Sequence, residues 1–227
     1  MYYVRDASMT QRITAVVLEV VWLAVVWWLL FGGGLATAGG WFGWTWTPGN
    51  PVRRVCLAVA LSIYVVRLFF TMFVYLKRGV TWAEVFTVAP WILCIDLLLA
   101  VSGAKNPTAF SMTGVYGFVL FALGSWMNSY AEHTRHVWKK QPENRGCLYT
   151  EGLFRYSRHP NYCGDLLSFF GLCMIAGTWL TVLIPALMLA GFVFVNVPAL
   201  DDHLRDRYGA SFEEYARRTP KLIPFLY

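Results

Sequence analysis

Between Gly152 and Asp165 the chain reads GLFRYSRHPNYCGD, which sets guanidiniums, an imidazole, an amide and a carboxylate against an apolar run continuing from Leu166 to Val197. Pro160 biases His159 toward an extended backbone and itself suits the first turn of a helix, where a missing N–H is harmless. Asn161 and Tyr162 then lie at a helix start. The free N–H groups there, with the positive end of the dipole and Arg155, Arg158 and His159, make a receptor for an anion such as phosphate. Asp165, in the same turn, can hold a sugar hydroxyl or one of the arginines. Arg155 and Tyr156 serve equally well as interfacial anchors, the arginine snorkelling to headgroups and the tyrosine joining an aromatic belt.

A second polar stretch, VPALDDHLRDRYG, follows the apolar run. Pro198 is expected to end the last span, and a short helix then carries Asp201, Asp202 and His203 until Tyr208 and Gly209 close it. Both aspartates fall within a turn of the membrane exit, where a basic cofactor pocket or the Arg158 guanidinium can pair with them. The later SFEEYARR reads as a solvated amphipathic helix. His133 and His136 are spaced i, i+3 but lack a third ligand and stand beside Lys139 and Lys140, so they are not read as a metal site. Neither G-x-G-x-x-G nor G-x-x-x-x-G-K-[ST] occurs, which excludes a Rossmann or P-loop nucleotide domain.

The elements that must position these groups are membrane helices. The 227 residues are 57% hydrophobic and 14% charged, with a mean hydropathy of +0.48, outside the balance of a soluble domain. At about 20 apolar residues per crossing, about six spans fit: 13–31, 55–76, 84–103, 110–131, 162–178 and 180–197, the last two forming a hairpin with its turn at Thr178 to Thr181. The first span is too long, and Phe31-Gly32-Gly33-Gly34 too poor a processing site, for a cleaved signal peptide. The expectation is an all-α, polytopic membrane bundle forming one domain. Residues 1–131 hold four spans, 132–161 a cytoplasmic cofactor segment, 162–197 the hairpin and 198–227 a cytoplasmic tail. Of 19 Lys and Arg, 15 fall in segments that six spans put on one face: Arg5 with Arg12, Lys77 with Arg78, Arg135 to Arg158, and Arg205 to Lys221. The positive-inside rule makes that face cytoplasmic, with both termini inside, in a bacterial inner membrane or the endoplasmic reticulum. The net charge of +6 is thus explained by orientation, with no nucleic-acid partner implied. The five cysteines show no C-x-x-C spacing and read as free thiols.

Glu19, Tyr64, Arg67 and Asp96 lie inside the expected spans. At about 1.5 Å per helical residue from the cytoplasmic end, Glu19 is roughly 10 Å deep, Arg67 about 13 Å, and Tyr64 and Asp96 each about 18 Å. Arg67 can reach either acid, and Tyr64 is level with Asp96. The same residues suit an ion pair that stitches the bundle or a proton-donating tyrosine supported by a carboxylate.

The stretch PENRGCLYTEGLFRYSRHPNYCGD resembles the steroid 5-alpha-reductase C-terminal family, through Pro142, Asn144, Gly146, Gly152 to Asp165, Tyr215, Ile223 and Pro224. The likeness covers mainly residues 128–227. It implies a membrane reductase of lipid metabolism holding NADPH in a cytoplasm-facing cavity, with cofactor roles for Asn128, Glu132, His159, Asn161 and Asp165; Arg145, Arg158 and Tyr162 stand beside them as further candidate cofactor-binding residues. Similarity to sterol reductases around RHPNYCGD and DDHLRDRYG adds Asp201, Asp202 and Tyr208. The tyrosine and glutamate that act on the substrate carbonyl in these reductases would correspond to Tyr64 and to Glu19 or Asp96. Isoprenylcysteine and phospholipid methyltransferases, which bind S-adenosylmethionine, also resemble EGLFRYSRHPNY and the tail. Both classes draw a lipophilic substrate from the bilayer; P-x-N-R-G, Asn161 and IPFLY lean toward the reductases.

Overall fold

The computed structural model describes residues 8–227, so Arg5, used above to orient the chain, lies outside the described residues. Every regular element among them is helical: α1 (Met9–Phe31), α2 (Gly34–Trp41), α3 (Pro51–Phe70), α4 (Trp82–Lys105), α5 (Met112–Lys140), α6 (Pro160–Ala176), α7 (Leu183–Gly191), α8 (Val197–Tyr208) and α9 (Ala210–Arg218). Local chemistry sets several boundaries. Asn50 caps α3, with Pro51 in its first turn, and Thr81 and Glu84 form a reciprocal capping box at the start of α4. Pro160 opens α6, and Gly209, at φ 51°, follows the last residue of α8.

Among the described residues four stretches are long and apolar enough to cross a membrane: α1, α3 with the π-turn that extends it to Tyr75, α4, and Trp179–Tyr208. Their outward faces carry exposed Val17, Val66 and Phe86, an arrangement that lipid tolerates and water does not. The chain is a helical membrane protein. α6, with 17 residues, is shorter than the about 20 of a full crossing. α5 continues to Lys140, which puts His133 and His136 on a helix.

Pro198 does not end a helix. The π-turn Phe192–Asn196 joins α7 to α8, and the Val197 N–H bonds the Phe192 carbonyl five residues back. The wider ring shifts the hydrogen-bond register just where proline has no N–H to give, so the helical path continues through it.

The chain divides into two compact units. One comprises the described residues up to Phe121 with Phe170–Val182; the other comprises Ala122–Phe169 with Leu183–Tyr227. In the first, α1 packs on α3 and α4 around fully buried Leu57, Leu61 and Leu99. Arg53 ties its end together by donating to the Ala176 carbonyl (3.3 Å) and to Thr108 Oγ1 (3.1 Å), while Asn106 Nδ2 donates to the Gly177 carbonyl (3.0 Å). Gly177 has φ 69°, and a Cβ there would lie 2.8 Å from Arg53 Nη1 and 2.9 Å from Asn106 Nδ2. Gly177→Ala is therefore expected to destabilise by about 1–2 kcal/mol through the backbone alone, read as a lowered thermal midpoint in detergent. An unchanged midpoint would contradict the packing described.

In the second unit α5 and α6 approach closely through small residues. A Cβ on Gly124 would sit 2.5 Å from the Gly164 carbonyl oxygen, and one on Gly164 2.7 Å from that of Gly124. Ser125 and Ser168 hydroxyls meet at 3.4 Å in the same seam. Backbones this near are typical of helix pairs in lipid, where shape and polar contact replace the hydrophobic drive.

Candidate functional site

The Gly124–Gly164 crossing fixes what lies beyond it. Asn128 and Glu132 follow Gly124 at four-residue steps and so share its face of α5, while Asn161 starts α6 one turn before Gly164. Asn128 Nδ2 donates to the Asn161 carbonyl at 3.0 Å, and Asn161 Nδ2 donates to Glu132 Oε1 at 3.0 Å. The other Glu132 oxygen accepts from Arg135 Nη2 at 2.6 Å. Asn128 and Glu132 are buried, so this is a largely buried polar network with a carboxylate at its centre.

Arg158 and His159, which precede the helix, turn toward α8. Arg158 Nη1 lies 3.0 Å from Asp201 Oδ2, and His159 Nε2 donates to Asp201 Oδ1 at 2.8 Å. All three side chains are under a tenth exposed. Beyond His159 the aromatic rings continue: its imidazole stacks on Tyr162 at 5.6 Å, and Tyr162 on Phe192 at 4.6 Å. The tail holds the strand-like entry in place. The Arg158 N–H donates to the Pro220 carbonyl at 2.9 Å, and the Ser157 hydroxyl donates to the Leu222 carbonyl at 2.7 Å while accepting from the His159 N–H at 3.1 Å.

This geometry redistributes the charge foreseen at the start of α6. The Arg158 guanidinium is engaged by Asp201, while its Nε is buried without a hydrogen-bond partner. Asp202 points the other way, its side chain 69% exposed, and pairs with Arg205 at 2.6 Å. Tyr208 accepts from Lys139 Nζ at 3.2 Å. Arg145 is exposed after the short turn Pro142–Asn144, and Asp165 is half-buried in α6.

Two of the exposed arginines in the same unit share a cleft. Arg155 and Arg218 line a cleft of about 420 Å³ with Thr150, Glu151, Tyr215 and Thr219. At its base the Tyr215 hydroxyl donates to the Phe154 carbonyl at 2.7 Å, and the Phe154 ring lies 5.7 Å beneath the Arg135 guanidinium. Burial pushes the Tyr215 phenol above its ordinary value of about 10, with Arg158 and Arg218 opposing and Asp201 reinforcing. A phenol whose folded pKa is raised stabilises the fold fully below its unfolded pKa, and that contribution falls as pH climbs beyond about 10. The thermal midpoint of the wild-type chain should therefore exceed that of Tyr215→Phe at pH 8, and the gap should narrow above pH 10. A gap independent of pH would contradict the buried phenol.

In the first unit, Tyr64 is half-buried with the Arg67 guanidinium 5.0 Å from its ring centre. Glu19 and Asp96 are buried, at 1% and 3% exposure, on the packed helices α1 and α4. Glu19 lines a cavity with Leu68 and Met72, and Tyr64 is not among the residues lining it. Several participants were not singled out from the sequence. Ser157 carried a usable signal, a hydroxyl two residues before the His159 N–H, a common local bond. Arg135 stood three residues from Glu132 on a helix. Phe192 carried none, since its ring meets Tyr162 only through the π-turn.

Similar proteins fall into two chemical classes. The probable O-methyltransferase ustE of Ustilaginoidea virens is 34% identical over 116 residues, 51% of this chain and 41% of that protein. The protein-S-isoprenylcysteine O-methyltransferase of Schizosaccharomyces pombe is 27% identical over half of each chain. The 3-oxo-5-alpha-steroid 4-dehydrogenase 1 of Mus musculus is 29% identical over 196 residues, 78% of this chain and 70% of that protein. The chain thus spans about half the length of the methyltransferases it matches and more of the dehydrogenase. Residues 80–219, from the start of α4 to the end of α9, match the family described as "Protein of unknown function (DUF1295)", and the chain belongs to that family.

Proposed function

We propose that the chain is a membrane-embedded, NADPH-dependent reductase of a carbon–carbon double bond in a lipophilic enone, steroid-like or isoprenoid, with six spans and both termini on the cytoplasmic face. The observation that carries this reading is the cleft bearing Arg155 and Arg218 in the same unit as the buried Asn128–Asn161–Glu132 network. A dinucleotide presents phosphates, sugar hydroxyls and an amide, and these residues offer guanidiniums, a carboxylate acceptor and side-chain amides. The unpartnered Arg158 Nε adds one buried donor. The likeness to the mouse steroid dehydrogenase covers 78% of this chain, against about half for the methyltransferases, and that extent supports the same reading.

In this reading Arg155, Arg218 and Arg135 hold phosphates, Glu132 and Asn161 hold ribose or carboxamide groups, and Tyr162 packs against a ring. When bound, NADPH supplies the hydride that a conjugated double bond accepts at its β-carbon. Tyr64 donates a hydrogen bond to the substrate carbonyl oxygen as enolate charge develops there, with Asp96 or Glu19 as the supporting acid.

A methyltransferase reading is favoured by one specific feature. With Arg158 engaged by Asp201, the acidic Glu132 and the stacked Tyr162 and Phe192 are groups suited to a cationic sulfonium. Titration of the chain in phosphatidylcholine nanodiscs with NADPH and with S-adenosylmethionine, followed by tryptophan fluorescence, separates the two. NADPH is expected to bind, and Arg155→Ala with Arg218→Ala to weaken it by about tenfold or more, as loss of charged hydrogen bonds does. Binding of S-adenosylmethionine without NADPH would overturn the reading.

A further inference from the structure

The first unit contains a built cavity lined by Glu19. α1 places Ala15 and Glu19 four residues apart on the face that packs against α4, and there a cavity of about 100 Å³ is walled by Leu68, Met72, Val85, Ala89 and Ile92. Glu19 is 1% exposed, and its Oε2 has no hydrogen-bond partner. A carboxyl oxygen left bare among hydrocarbon walls is costly, so whatever fills the cavity is selected for an O–H or N–H donor.

We propose that this cavity receives the hydroxyl end of a lipophilic alcohol, with Glu19 accepting its hydrogen bond. The walls decide between donors: an ammonium would have to shed its hydration among aliphatic side chains, whereas an alcohol sheds little and leaves its carbon chain on apolar surface. The size limits what enters. A cavity of roughly 150 Å³ holds benzene, so this smaller one takes a hydroxyl with its first few carbons. The remainder of the ligand leaves past Val88, which also lines the cavity and is exposed on the outer face of α4. At the other end, Arg78 and Glu84 pair at 2.6 Å with half- to one-third-exposed side chains and form a polar rim. The enclosure is held in place by Arg12, fully buried one turn before Ala15, which donates to the carbonyls of Met72, Leu76 and Arg78 and so secures the connection from α3 to α4. The assignment rests on this cavity and needs no cofactor; with Glu19 holding the alcohol, Asp96 is the acid left to support Tyr64 in the proposed reduction.

The test uses the full chain in phosphatidylcholine nanodiscs and two photoreactive probes, a diazirine-bearing dodecanol and its methyl ether, with labelled peptides located by mass spectrometry. The alcohol should label peptides carrying Leu68 to Met72 or Val85 to Ile92 about fivefold more than the ether, the effect of one hydrogen bond. Glu19→Leu should abolish that excess, and Glu19→Gln, which keeps an acceptor oxygen, should retain it. Ala89→Leu fills the cavity without touching the carboxyl and should also abolish it, which keeps the test decisive if Glu19→Leu fails to fold. Equal labelling by alcohol and ether, an excess that survives Ala89→Leu, or no saturable labelling because the cavity holds water only would each overturn the proposal.

Discussion

Asp201→Ala is expected to destabilise the folded chain by about 3–5 kcal/mol, the effect of breaking a buried ion pair from one side. The Asp201 carboxylate receives the Arg158 guanidinium at 3.0 Å and the His159 imidazole at 2.8 Å, and both partners are buried. Removing it leaves a guanidinium without its counter-charge in a place water does not reach, and frees the His159 ring that stacks on Tyr162. Asp201→Asn keeps an acceptor oxygen and should fall between. The neighbouring Asp202→Ala provides the contrast: its pair with Arg205 is exposed on both sides, and its loss should change stability by about 0.5 kcal/mol or less. Because a buried pair can often be replaced by apolar groups of similar volume, Arg158→Met combined with Asp201→Leu should recover much of what Asp201→Ala loses. Thermal and urea unfolding of the detergent-solubilised chain measures all four. Equal effects for Asp201→Ala and Asp202→Ala would remove the basis for treating Asp201 as the anchor of the site.

Tyr64→Phe is expected to lower turnover of a lipophilic enone by about 10²–10⁴-fold, the usual worth of a positioned proton donor, with NADPH affinity unchanged. The substitution keeps the aromatic face beneath the Arg67 guanidinium, 5.0 Å from the ring centre, and removes the hydroxyl. A loss of rate with an intact thermal midpoint identifies chemistry. Asp96→Asn should give a smaller loss through the same route if Asp96 supports the tyrosine. Turnover by Tyr64→Phe equal to the wild type would end the assignment of that residue.

The helical membrane class was legible because apolar runs as long as α1, α3 and α4 have few other solutions. The start of α6 was marked by Pro160, and a turn after it was expected at Thr178 to Thr181, where α6 has ended at Ala176 and α7 starts at Leu183. Pro198 misled because a π-turn can absorb a missing N–H, and nothing in FVFVN announces one. Asp201 and Asp202 looked equivalent as letters. Which one turns inward is set by the rotation of α8, and that depends on where Arg158 is held by the Pro220 carbonyl, a contact across 62 residues. The Asn128, Glu132 and Asn161 grouping reached the sequence reading only through a family likeness. Its physical cause, the glycine crossing at Gly124 and Gly164, is a packing fact that neither glycine reveals alone. Arg218 and Thr219, which line the cleft with Arg155, sit in a stretch that reads as an ordinary solvated helix end.

The most direct measurement is the mass of the small molecule released when the detergent-purified chain is denatured. The account predicts NADP or NADPH, recovered from the wild type and depleted in Arg155→Ala with Arg218→Ala. An S-adenosyl compound, or lipid with no nucleotide, would contradict it.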